Sequence, residues 1–260
     1  MSRVLRTLRS PVTASTFRSA ADRTGNLVLR GTPVPARAHP CAGDPALAQI
    51  VVLDGTAVPT PEHFRIWSTA LAEHGFTRLR TGALSPRQAD QAQRAGLRCV
   101  QELALLDIDA PFPRRTSTHR THGTRGLRDV ELTTIAEIDR AAFGSNWALD
   151  AGMLSDIRAA TPSHRARTVR IDGTIVAFLV SGRAARTGYV QRLAVSPDAQ
   201  RQGIATSLLL DSLRWMRRAR ITRAFVNTHV DNAAALELYR RHGFAELPER
   251  LRVFEGPVSP

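Results

Sequence analysis

Apolar positions recur along the chain at two spacings, and their punctuation divides it into alternating helices and strands. Ala48 to Leu53 is a continuous apolar run closed by Asp54-Gly55, which predicts a buried strand. From Pro61 to His74, Phe64, Trp67, Ala70 and Leu71 fall on one helical face, with proline at the first position and Gly75 as the stop. A strand is predicted over Thr77–Leu84, a helix capped by Ser85 through Ala95 with Gly96 after it, and a strand over Cys99–Ile108. Pro111 and Pro113 then mark a linker.

The pattern resumes beyond the linker. Helices are predicted over Leu132–Phe143 and Ala151–Ala160, separated by a loop carrying Trp147, and strands over Thr168–Ile171, Ile175–Gly182 and Tyr189–Val195. A long helix over Gly203–Arg218, a strand over Arg223–Val230, a helix over Ala233–His242 and a strand over Leu251–Phe254 complete the chain. Such alternation predicts α/β layering around one sheet. The two blocks also echo each other: aligning Gly96 with Gly243 places Ser85 on Asn232 and Ala92 on Tyr239. Either a repeat that has lost its polar residues or the common punctuation of strand-helix-strand units accounts for this.

Charge changes the picture at the ends. The 260 residues carry 36 basic and 23 acidic side chains, a net +13, and every basic residue is arginine. Residues 1–46 hold seven arginines against two acids, residues 47–113 six against seven, and residues 114–260 twenty-three against fourteen. The first segment, rich in Arg, Ser, Thr, Pro and Ala and without sustained period, is expected to be a mostly disordered arm with at most one short strand. An organellar transit peptide has the same look, but an arginine bias throughout the chain explains it without one. No apolar run reaches the length of a membrane span. Cys41 and Cys99 are too few for a disulfide framework or a cysteine zinc site, which suits a reducing cytoplasm.

The chemistry concentrates between Tyr189 and Phe244. Gln200-Arg201-Gln202-Gly203-Ile204-Ala205-Thr206 opens the long helix, where unpaired N–H groups, the positive end of the macrodipole and a small residue suit a pyrophosphate. It is not a P-loop, since no lysine follows and none exists in the chain. Taken with Leu193-Ala194-Val195-Ser196-Pro197 before it and Asn232 through Leu238-Tyr239-Arg240-Arg241-His242-Gly243-Phe244 after it, the segment resembles the GNAT superfamily of acyl-CoA-dependent N-acetyltransferases, over roughly residues 116–256.

The resemblance implies a mixed, mainly antiparallel central sheet flanked by helices over 116–260, preceded by a smaller α/β half-domain over 47–113. It implies acetyl-CoA as acyl donor, held by the backbone of Leu193, Ala194 and Val195, by Arg201, Gln202, Gly203, Ile204, Ala205 and Thr206, and by Asn232, which also suits a helix N-cap. Tyr239 becomes the general acid for the departing thiolate. Relatives that acetylate protein N-termini often carry glutamate where this chain has Asn227. Strand alternation puts Phe225, Asn227 and His229 on one face, which makes His229 the nearest titratable group for a base, beside a simpler reading in which the amine binds neutral. No metal is implied.

The implied partners are acetyl-CoA and an amine, a protein N-terminus or a small molecule, with no membrane; monomer and homodimer both fit. A tandem GNAT resembling mycothiol synthase and a non-catalytic CoA-binding or RNA-associated module are the rival readings. Arg214, Arg217, Arg218, Arg220 and Arg223, and Arg114, Arg115, Arg120 and Arg125, are either solvated surface or docking patches for RNA or the ribosome. The net charge of the second block disfavours polycationic acceptors.

Overall fold

The computed structural model describes residues 27–41, 43–54, 57–113 and 122–259. In chain order the first half comprises β1 (Leu27–Leu29), β2 (Ala36–Cys41), β3 (Asp44–Val52), α1 (Pro61–Glu73), β4 (Arg78–Thr81), α2 (Pro86–Arg94) and β5 (Arg98–Asp109). The second comprises β6 (Thr124–Gly126), α3 (Leu132–Phe143), α4 (Ala151–Ala159), β7 (Ser163–Ile171), β8 (Thr174–Ala184), β9 (Thr187–Val195), α5 (Ile204–Arg218), β10 (Arg223–His229), α6 (Ala233–Arg241) and β11 (Ala245–Pro257).

All eleven strands form one sheet in the order β1-β2-β3-β4-β11-β5-β10-β9-β8-β7-β6. It is antiparallel except at β3/β4 and β9/β10, whose parallel pairing is made by the crossover helices α1 and α5. The sheet is thus the mixed, mainly antiparallel one expected. The succession antiparallel pair, crossover helix, parallel strand, helix, strand occurs twice, as β2-β3-α1-β4-α2-β5 and as β8-β9-α5-β10-α6-β11. The helices α2 and α6 end alike, with Leu97 N–H donating to Ala92 O and Phe244 N–H to Tyr239 O, both at 3.1 Å, around Gly96 and Gly243 at positive φ.

The last strand of each half pairs with the other half. β5 lies between β10 and β11, and β11 runs on to pair with β4. The division near residues 113–116 is therefore a boundary in the chain but not in the sheet. The arm expected over residues 1–46 also differs. Residues 1–26 lie outside the described residues, whereas 27–46 supply β1, β2 and the start of β3, with Leu27, Leu29, Ala36 and Ala38 buried against Trp67 and Leu71 of α1. Their alternation is real but short, and small residues carry it.

Helices α1, α2, α5 and α6 share one face of the sheet. Ala104, Leu106 and Ile108 of β5 pack with α5 and α6, and Phe254 of β11 packs with α1 and α2. The opposite face of β8 and β9 is covered by α3 and α4, through Ile135, Ile138 and Leu154 against Phe178, Val180 and Ala194.

Candidate active site

The site begins with a defect in β9. Arg192 faces Val180 while Val190 faces Ser181, so Gln191 is an extra residue, a bulge that bends the strand. Parallel pairing with β10 stops at the same point: Arg223 to Val226 pair with Thr187 to Val190, and beyond them the strands separate. Ser196 N–H donates to Val176 O on β8. Strand alternation then directs the N–H groups of Leu193 and Val195 away from β8, toward the gap. Val195 O points the same way and accepts from Gln200 Nε2 at 3.2 Å.

At the end of β9 the chain turns through Arg201 (φ 59°) and Gly203 (φ 79°), two left-handed residues before α5. Alternation of this kind turns successive N–H groups into one concavity, an anion nest. No side chain caps α5, so Ile204, Ala205 and Thr206 keep their N–H groups pointing outward along the macrodipole. His122 packs beside this turn, its Nε2 2.9 Å from Gln202 O and its N–H donating to Ser207 Oγ at 3.1 Å. In the first half, Thr60 N–H at the start of α1 donates to His63 Nδ1 at 3.0 Å, and Gly82 N–H donates to Ile50 O at 2.8 Å, which keeps β3 and β4 together.

Tyr239 on α6 is 4% exposed, in edge contact with Phe244, among the side chains between α5, α6 and the sheet. Burial raises its pKa above that of a free phenol, and the charge of Arg192 works weakly against the rise. The hydroxyl therefore keeps its proton at neutral pH. Asn232 caps α6, its Oδ1 accepting from Ala235 N–H at 3.1 Å, and its amide N–H groups remain as donors. His229 ends β10, and its Nδ1 accepts from Asp231 N–H at 3.1 Å. The same nitrogen lies 3.6 Å from the Asp231 carboxylate. Asn227 is exposed on the same strand.

The sequence reading missed an ion pair on the other face of the gap. Asp139 of α3 is fully buried and accepts from Arg192 Nε and Nη2, each at 2.7 Å, and from Leu149 N–H at 2.7 Å. Arg192 also donates to Trp147 O at 2.9 Å and lies 3.7 Å over the Phe143 ring. An arginine directly before the apolar run Leu193-Ala194-Val195 of a strand inside the sheet requires such a partner, and that was the available signal. Among the described residues, no three His, Cys, Asp or Glu side chains gather as a metal site, and no helix is long and apolar enough to cross a membrane. Arg217 and Arg218 end α5, and Arg223 pairs with Asp107; Arg114, Arg115 and Arg120 lie outside the described residues.

Residues 132–244 match the family model of the Acetyltransferase (GNAT) family. They are a GNAT acetyltransferase domain. Over 59 residues the chain is 37% identical to GCN5-related N-acetyltransferase 6, chloroplastic, of Arabidopsis thaliana, a match spanning 23% of this chain and 20% of that one. It is 28% identical over 242 residues to mycothiol acetyltransferase of Tsukamurella paurometabola, covering 80% of this chain and 77% of that one. Among solved structures, a tandem GNAT protein from the clavulanic acid biosynthesis pathway superposes with a TM-score of 0.56 at 16% identity, over 91% of this chain and 81% of that one. That likeness carries the fold across both halves.

Proposed function

We propose that the chain transfers the acetyl group of acetyl-CoA to a primary amine by direct attack. One observation carries the reading: an uncapped anion nest opens onto a gap between parallel strands that has Tyr239 behind it. The residues fit the donor. Arg201 to Thr206 would hold the pyrophosphate, and the backbone of Leu193 to Val195 the extended arm, with Asn232 donating from the far side. Bound acetyl-CoA supplies an activated thioester. A strand N–H in the gap opposes the charge that develops on the carbonyl oxygen, Tyr239 gives its proton to the departing sulfur, and the proton shed by the attacking nitrogen as the amide forms returns to the Tyr239 oxygen, directly or through water.

His229, with Nδ1 occupied, is assigned no proton abstraction, and the amine is bound neutral. The pH profile of kcat/KM is then expected to be the same in His229→Ala as in the wild type; loss of its acidic limb would restore His229 as the base. The first-half unit from β2 to β5 is a catalytically silent copy, with Thr60 N–H taken by His63 Nδ1 at the start of α1 and Ala92 standing where the second half has Tyr239. The reducing cytoplasm suits the free Cys41 and Cys99.

Calorimetry tests the reading. Wild type is expected to bind acetyl-CoA, and Gly203→Glu to weaken it by at least about tenfold, because the substitution strains a left-handed position and sets a carboxylate against the anion. No binding by wild type overturns the proposal. A second reading narrows the acceptor to that of the mycothiol acetyltransferases, favoured by an alignment that runs through both halves. Thiol release on a panel of amines separates this from a protein N-terminal acceptor.

A further inference from the structure

The loop between α3 and α4 is fastened to strands of both halves of the shared sheet. Its second-half anchor is Arg192, which holds Trp147 O and, through Asp139, Leu149 N–H. Its first-half anchor is Arg80 of β4. The residue is 7% exposed, and its guanidinium donates to Asn146 O at 2.5 Å and to Glu255 Oε1 of β11 at 2.5 Å, and lies 4.2 Å over the Trp147 ring. Gly43 seats the preceding residue so closely that a Cβ there would stand 2.8 Å from Ser145 O. Behind the loop, Asp156 of α4 faces Arg37 at 3.7 Å and His39 at 3.4 Å on β2.

The loop also lies on the face of the sheet opposite Tyr239. Tyr239 occupies the α5/α6 face of the sheet, and Arg192 leaves β9 on the opposite face, beneath Trp147. An amine adds to a carbonyl from above or below the carbonyl plane; the α5/α6 side of the gap is filled by core side chains, which leaves the face that carries exposed Asn227, the same face as residues 144–150.

We infer that the silent first half works as a scaffold for the acceptor side of the reaction, with Arg80 as the positioning residue that holds Trp147, and through it Arg192, in place. The inference rests on the proposed acetyl transfer. Arg80 touches no reacting atom. Its guanidinium combines a planar face for the indole with a fork for Asn146 O and Glu255, which a lysine only partly reproduces.

The test compares wild type, Arg80→Met, Arg80→Lys and Gly43→Ala on full-length protein. In Arg80→Met the KM of the amine found by the thiol-release panel is expected to rise about tenfold and kcat to fall, since a displacement of about 1 Å is costly at a reacting centre. The Kd of acetyl-CoA stays within about twofold of wild type, and the amides of residues 145–149 exchange with solvent faster. Arg80→Lys recovers part of each change. Gly43→Ala, which pushes the loop from beneath and leaves Arg80 intact, moves the same two readouts in the same direction. Unchanged amine KM and unchanged exchange at residues 145–149 in Arg80→Met overturn the inference. Wild type that neither binds acetyl-CoA nor turns over overturns the acetyl-transfer reading instead, and the exchange comparison still decides whether Arg80 holds the loop.

Discussion

Replacing Tyr239 with phenylalanine is expected to lower kcat by about 10²–10⁴-fold, the range a positioned general acid contributes, with acetyl-CoA affinity unchanged. Phenylalanine fills the same space between α5, α6 and the sheet and keeps the edge contact with Phe244. The variant therefore isolates the hydroxyl proton. Burial has pushed that pKa upward, so the donor is fully protonated wherever the amine can attack. A thiolate leaving beside the apolar side chains around Tyr239 is less well solvated than in water, which is what makes a nearby proton valuable. An unchanged kcat in single-turnover thiol release would remove Tyr239 from the mechanism.

The sign of a second consequence follows from the same shift. A folded-state pKa above the unfolded one contributes stability that is complete below the phenol's ordinary value, about pH 10, and is lost as pH rises through the folded value. Wild type is accordingly expected to lose Tm above about pH 10 faster than Tyr239→Phe does. Parallel alkaline melting curves would contradict this.

Asp139→Ala is expected to cost about 3–5 kcal/mol in unfolding free energy, as loss of one partner of a buried ion pair does. The carboxylate is inaccessible to solvent and accepts three hydrogen bonds at 2.7 Å. Its removal strands the Arg192 charge and the Leu149 N–H together. The double change Asp139→Leu with Arg192→Met removes both charges and is expected to regain most of the loss in urea titrations. A double variant no more stable than Asp139→Ala would show that shape, not charge pairing, holds α3 to β9.

Where local signals agreed, the fold was legible. Leu132–Phe143 was read with the bounds of α3, because helical spacing and a following glycine coincide there. The nest at Arg201–Thr206 and the cap at Asn232 were visible for the same reason: local chemistry suffices for both. β11 was not. Thirteen residues were read as four, because Glu246, Arg250 and Arg252 look like solvated loop until Glu246 pairs with Arg240 and Arg250, and Arg252 with Glu102 of β5, and Pro248 sits in an irregularity of the ladder. β2 was hidden by Arg37, His39 and Pro40 between alanines that are fully buried. The Arg192–Asp139 and Arg80–Trp147 contacts join residues 53 and 67 positions apart, a separation that no window of the sequence spans. The placement of β5 between β10 and β11 is long-range in the same way.

That exchange of strands has a consequence for how the protein is made. The first half is synthesised early, yet the open edge of β4 waits for Glu255, Gly256 and Pro257, which emerge after every other element. β5 meanwhile must remain available until β10 and β11 arrive to flank it. The chain therefore does not build one finished lobe and then a second as it leaves the ribosome. A nascent chain holding an apolar strand open over more than a hundred residues is one that a holding chaperone would protect.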